Sequence, residues 1–213
     1  MADPHTRRLP TRRTLLRGSA AVAAVAAAAT ASATRAAAGP GTPERTSADA
    51  RPLDYPYALW APASTSNYTV ANRPAQYPVE YVVIHITQET FEDTLAIFQD
   101  PSSAVSSHYV VGSADGRVAQ CVEEKNVAWH AGNWSYNTRS IGIEHEGWVD
   151  EPEWFTDVMY ERSARLTAYL CDYYGIPKNR THILGHSEVP GATHTDPGPL
   201  WDWDRYIDLV NAA

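Results

Sequence analysis

The sequence predicts a single α/β domain with a mixed central β-sheet flanked by helices. Three observations predict it. Residues 81–87 form an apolar, β-branched run bounded by Pro78, which reads as a buried strand. Residues 156–174 carry apolar side chains at helical spacing, with Gly175 and Pro177 as stop signals. Between them, Asp115-Gly116 joins two apolar segments as a hairpin turn. Helices alternating with strands and one antiparallel hairpin together require a mixed sheet.

The elements follow in order. After the first strand, residues 90–99 place Phe91, Leu95 and Phe98 at helical spacing, and Thr90 is suited to cap that helix with Asp93 three residues on. Residues 107–112 (Ser-His-Tyr-Val-Val-Gly) form a second strand, and residues 118–123 return as a third. Residues 139–146, containing Ile141-Gly142-Ile143-Glu144, form a fourth. Helix 156–174 buries a face containing Met159, Leu166 and Leu170. A short strand at 183–184 leads into a Pro- and Gly-rich loop, and residues 202–211 close the domain as a helix.

The amino-terminal segment is a targeting signal. Thr11-Arg12-Arg13-Thr14-Leu15-Leu16-Arg17 has the layout of a twin-arginine leader, followed by an alanine-rich stretch and two A-x-A cleavage candidates, Ala31-Ser32-Ala33 and Ala36-Ala37-Ala38. The stretch is short and weakly apolar for a membrane span. The expected organisation is a leader over residues 1–38, a linker over 39–52 and one catalytic domain over 53–213. The destination is outside the cytoplasm or at the cell wall. The leader holds six of the 17 basic residues and one of the 25 acidic ones, so the remainder has 11 basic and 24 acidic residues, a net charge of −13. Such a surface repels phosphate backbones and excludes nucleic acid as a partner. Export permits a disulfide between Cys121 and Cys171, with bridged and free states both open from sequence. Nothing in the sequence calls for more than a monomer.

Chemistry concentrates in two places. His85 interrupts the apolar run of the first strand. Gly185-His186-Ser187-Glu188 opens a loop that ends Thr193-His194-Thr195-Asp196-Pro197-Gly198. Two histidines and an aspartate are the ligand set of a zinc site that leaves one position for water. His85, His186 and Asp196 fill it. His194 lies two positions before Asp196, on the same side of an extended segment, so by spacing alone it is a rival third ligand.

Four ordered motifs resemble those of the type 2 N-acetylmuramoyl-L-alanine amidases, zinc-dependent peptidoglycan amidases related to phage lysozyme-type amidases and peptidoglycan recognition proteins. They are Val83-Ile84-His85-Ile86-Thr87, Trp129-His130-Ala131-Gly132, Ser140-Ile141-Gly142-Ile143-Glu144-His145-Glu146-Gly147, and Gly185-His186-Ser187-Glu188 with Thr195-Asp196-Pro197-Gly198-Pro199. The likeness spans about residues 55–210. It implies a peptidoglycan-recognition-protein-like fold, Zn²⁺ held by His85, His186 and Asp196, and hydrolysis of the amide between N-acetylmuramic acid and L-alanine. It makes Glu144 the acid beside the attacking water. It puts His194 where many members carry a lysine that supports the transition state, and Ile86 where many have His or Tyr. A lysine stays charged across physiological pH and a histidine does not, so this departure touches pH dependence.

Trp129 and His130 are expected to line the substrate cleft, and Glu146 shares a strand face with Glu144 as an alternative base. His145 should point away from the site, and His108 belongs to the core. Trp134, Tyr136 and Trp148 are candidate platforms for sugar or peptide. Competing classes are a recognition domain without catalysis and a zinc peptidase acting on the stem peptide; the H-E-x-x-H signature of the latter is missing.

Overall fold

A computed structural model describes residues 53–213; the leader expected over residues 1–38 and the linker expected over 39–52 lie outside the described residues. The domain is a six-stranded sheet in the order β1-β5-β4-β7-β3-β8. Its strands are β1 (Leu59–Trp60), β3 (Tyr81–Ile86), β4 (Tyr109–Val111), β5 (Val118–Gln120), β7 (Ser140–His145) and β8 (Ile183–Gly185). Pairs β4–β7, β7–β3 and β3–β8 are parallel, whereas the β4–β5 hairpin is antiparallel. This is the mixed sheet that the sequence predicts. A separate antiparallel pair joins β2 (Tyr68–Thr69) to β6 (Val127–Ala128).

Strand alternation sorts the two faces of the sheet. Val82, Ile84, Ile141 and Ile143 pack with α3 (Asp157–Tyr174) and α4 (Trp203–Ala212) in the main core. Val110 and Ala119 join Phe91 and Phe98 of α1 (Phe91–Gln99) on the opposite face. Val83 packs there with Ala131 and Val189. His85 shares that face with Val83, being two residues on. Its register partner across the β3–β7 pair is Glu144, so two residues 59 apart in sequence face one cleft.

Helix ends obey local chemistry. Thr90 caps α1 by accepting from the Asp93 N–H, Thr156 caps α3 from the Met159 N–H, and Asp202 caps α4 from the Arg205 N–H. Gly175 ends α3 at φ 70°, a conformation that costs a side-chain-bearing residue. The expected strands 107–112 and 118–123 are shorter than predicted. The His108 carbonyl accepts from Cys121 N at 2.8 Å and sits 3.5 Å from Val122 N, so two residues oppose one and the regular ladder stops. Helix α2 (Trp134–Arg139) was not expected; Asn133 caps it, but six residues carry little periodicity. Cys121 and Cys171 are free thiols buried in different clusters on opposite faces of the sheet.

Candidate metal centre

The site lies where β3, β7 and β8 end. His85 comes from β3, Glu144 from β7, and His186 follows β8 directly. Ligand atoms of His85, His186 and Asp196 lie within 4.8 Å of one another, and all three residues are buried. The Nδ1 of His85 is 3.0 Å from Asp196 Oδ2, and the Nδ1 of His186 is 3.1 Å from Asp196 Oδ1. His194 is outside this cluster. It is exposed and stacks on His186 with ring centroids 5.0 Å apart and planes 13° apart.

Local sequence explains the convergence. Gly185 carries no Cβ because one would lie 2.7 Å from Cδ of Pro197, so its absence lets the Asp196-Pro197 segment close on β8. Ser187 N–H donates to the Asp196 carbonyl at 2.9 Å. Glu188 accepts from Gly185 N–H and pairs with Arg180, both at 2.6 Å, bracing the turn. Gly142 makes room likewise: a Cβ there would lie 2.6 Å from Cγ of His130.

A hydrogen-bond relay fixes the His85 tautomer. Ser140 Oγ–H donates to the Tyr136 carbonyl at 2.6 Å, so Oγ accepts from His130 Nε2–H at 3.1 Å. His130 Nδ1 is then bare and accepts from His85 Nε2–H at 2.9 Å. Nδ1 of His85 is left as a lone pair facing Asp196. Burial pushes His85 and His130 below the usual imidazole range, which keeps both neutral. Burial pushes the Asp196 carboxyl up, yet its contact with His186 leads the effects that hold it well below the ordinary value. A bare nitrogen opposite an ionised carboxylate repels it unless a cation lies between them. The donor set therefore fits a divalent metal with nitrogen and oxygen ligands.

Glu144 reaches the same cleft. Its Oε2 is shut from solvent without a hydrogen-bond partner among the described residues. Burial, then the Asp196 charge, raises its carboxyl well above the usual range. A cation held at the cluster offsets both effects.

The remaining expectations divide. Trp129 lines the cleft, held by an Nε1–H bond to Thr69 Oγ1 at 2.9 Å. His130 borders it too, but both ring nitrogens are committed to His85 and Ser140, leaving none to bond substrate. Glu146 is not free to act as a base: its oxygens accept from Phe91 N–H at 3.0 Å and Ser113 N–H at 2.8 Å. His145 points to the other face, as expected, bonding the His85 carbonyl and Ser163. His108 is fully buried and its Nδ1 accepts from Gly142 N–H. Tyr136 stacks on Tyr81 and Trp148 packs on Trp154, so these rings are partnered within the protein. The cleft of about 380 Å³ adjoins a hollow of about 330 Å³, and the two share Val105, Trp129, His130, His186 and His194 as walls. Sequence reading missed Gln88, Glu89 and Val105 on these walls, since nothing in their spacing marks them.

Two histidines and two carboxylates gathered at the strand ends of a mixed α/β domain are a residue set suited to metal-assisted hydrolysis. The chain belongs to the N-acetylmuramoyl-L-alanine amidase family, whose model matches residues 75–199. It is 32% identical over 178 residues to N-acetylmuramoyl-L-alanine amidase A of Achromobacter lyticus, covering 76% of this chain and 97% of that protein. It is 40% identical over 114 residues to the 1,6-anhydro-N-acetylmuramyl-L-alanine amidase AmpD of Escherichia coli, covering 50% of this chain and 59% of that one. Among solved structures, a selenomethionine derivative of AmpD superposes with a TM-score of 0.61 at 30% identity, over 74% of this chain and 98% of that one. The chain is accordingly an amide hydrolase acting on peptidoglycan-derived substrates.

Proposed function

We propose that this chain is an exported, zinc-dependent amidase that cleaves the bond between the lactyl group of N-acetylmuramic acid and L-alanine. The observation that carries the metal reading is the His85 Nδ1 lone pair held by the relay against an ionised Asp196. His85, His186 and Asp196 hold the ion. When bound, it polarises the scissile carbonyl and makes water a competent nucleophile near neutral pH. Glu144, the β7 partner of His85, takes the proton of the attacking water and returns it to the leaving amine. His194 donates from the rim to the oxyanion as it develops. Trp129 forms a wall for the substrate, and His130 positions His85.

The P. aeruginosa AmpDH3 structure, 23% identical with a TM-score of 0.53, holds an anhydromuramic pentapeptide, in keeping with such a substrate. Purified protein should contain one zinc per chain, lose activity on chelation and recover it on zinc addition. Mass analysis of digested muropeptides should show free L-alanine amino termini. Activity undiminished after complete metal removal would overturn the reading.

Export rests on the paired arginines at Arg12 and Arg13. Replacing both with lysine should keep the protein in the cytoplasm. No helix among the described residues is long and apolar enough to cross a membrane. We take the enzyme to be a monomer, which light scattering would check.

A further inference from the structure

The face opposite the cleft carries a second feature that the hydrolysis does not use. A hollow of about 510 Å³ lies beside α3, walled by Tyr55, Tyr57, Tyr169, Arg162 and Arg165. The tyrosines form a chain of ring contacts: Tyr57 meets Tyr55 edge-on at 5.5 Å, Tyr55 meets Tyr169 edge-on at 5.2 Å, and Tyr169 lies 6.3 Å from Tyr173 with planes 7° apart. Tyr57 is 78% and Tyr173 68% exposed, while Tyr55 is buried as the floor. The Tyr169 hydroxyl donates to the Asp54 carbonyl at 2.8 Å, which fixes that ring. Beyond Tyr173 a further hollow of about 340 Å³ opens beside Pro74 and Pro78. Two large, solvent-exposed rings joined through fixed ones make an extended aromatic strip of the kind that stacks on the apolar faces of sugars.

Charge adds the second observation. Neither Arg162 nor Arg165 forms an ion pair with any described residue, although acids outnumber bases in this chain. The same wall carries Asp172, an exposed carboxylate paired with Lys178 at 3.0 Å, and Ala213, so the two arginines share it with at least one acid. Hydrolysis adds water across the amide, leaving an amine on alanine and a carboxylate on the lactyl group of the sugar. Each turnover on a polymer therefore converts a neutral link on the glycan into an anion. Arg162 and Arg165, which have no carboxylate partner among the described residues, attract that anion.

We propose that the α3 groove is a second glycan site that binds strands already stripped of peptide, through sugar stacking on the tyrosine strip and lactyl carboxylates at Arg162 and Arg165. The site keeps the enzyme on wall that it has begun to process. The inference rests on the amidase reading only for the origin of the carboxylate.

Binding of purified protein to peptide-free glycan strands would be followed by fluorescence anisotropy, with neutral chitooligosaccharides and a sugar-phosphate polymer as comparisons. The stripped strands should bind best, and more weakly as salt rises. The exposed-residue variant Tyr57→Ser/Arg162→Gln/Arg165→Gln/Tyr173→Ser should bind them about tenfold or more less tightly. Its melting temperature and its turnover of a small soluble muramyl peptide should match the parent, and its action on intact wall should slow. Equal binding by variant and parent would place the glycan elsewhere and overturn the proposal. So would equal affinity for the neutral oligosaccharide, or a preference for the sugar-phosphate polymer. Loss of soluble turnover in the parent would instead count against the amidase reading, leaving the binding result to be judged separately. Should the fourfold variant melt early, the Arg165→Gln and Tyr57→Ser single variants carry the same comparison.

Discussion

At the residue scale, each motif position has a separate physical task. In Ser140-Ile141-Gly142-Ile143-Glu144-His145-Glu146, Ser140 orients His130, Gly142 makes room for it, and the isoleucines fill the core. Glu144 faces the cleft, His145 ties β7 to β3 and α3, and Glu146 anchors two backbone N–H groups. His194 stands apart from the ligand atoms, so its removal should leave metal content intact. His194→Ala should lower kcat by about 10²–10³, equivalent to about 2.7–4 kcal/mol for one lost oxyanion donor, with KM little changed. Unchanged kcat in steady-state kinetics would remove it from the mechanism. His130 acts through His85. His130→Ala should weaken metal affinity about 10–100-fold, the usual cost of losing a partner that orients a ligand. A competition titration with a chelator reads this directly, and excess metal should restore much of the activity. Wild-type affinity in that variant would mean that the relay does not set the His85 tautomer.

At the element scale, legibility followed length. The buried strand, the long helix, the hairpin and the closing helix all stand where periodicity and punctuation put them, because each repeats its pattern over several residues. The two-residue strands β1, β2 and β6 and the six-residue α2 do not, and tertiary contacts define them. The converging cluster was legible because His85 breaks an apolar run and His186 begins a Pro- and Gly-rich loop that ends at Asp196. Glu146 misled because strand alternation gives a side chain's direction and not its partners. It stands on the face of Glu144 but stops at the start of α1, where the first-turn N–H groups attract a carboxylate. The two acids should therefore separate experimentally. Glu146→Ala leaves the Phe91 and Ser113 N–H groups unsatisfied and should cost about 1–3 kcal/mol of stability by chemical denaturation. Its specific activity should follow the folded fraction. Glu144→Gln should abolish turnover while leaving the denaturation midpoint close to the parent value, since it replaces a buried carboxyl whose Oε2 has no hydrogen-bond partner among the described residues. A stable, inactive Glu146→Ala would reverse the assignment.

At the scale of the whole molecule, the sheet separates two kinds of polar burial. On the cleft side, buried groups converge on the ligand cluster. Toward the N-terminal arm, a second network fastens residues 54 and 73 to the sheet and α3. Its centre is Glu124, which accepts from the hydroxyls of Tyr109 and of Tyr174, the latter at 2.7 Å. Arg73 donates to the Glu124 carbonyl and to the carbonyls of Asn137, Thr138 and Ser140. Burial lifts the Glu124 carboxyl from 4.5 to about 7, because the tyrosine hydrogen bonds and Arg73 only partly offset the lost hydration. The folded state thus holds this proton more tightly than the unfolded chain. The stabilisation is fully present below about pH 4.5 and is lost as the pH rises through about 7. Complete loss corresponds to about 3 kcal/mol. Other carboxyls titrate across part of this range, so the difference between parent and Glu124→Gln isolates the one group. Glutamine keeps the acceptor for one tyrosine and cannot ionise, so the variant should lack the component of the pH slope that Glu124 supplies. Urea denaturation at pH 5 and pH 8 checks it: the parent should lose more stability than the variant between the two. Equal losses would mean that Glu124 is hydrated in the folded protein and that the arm is held by its neutral hydrogen bonds alone.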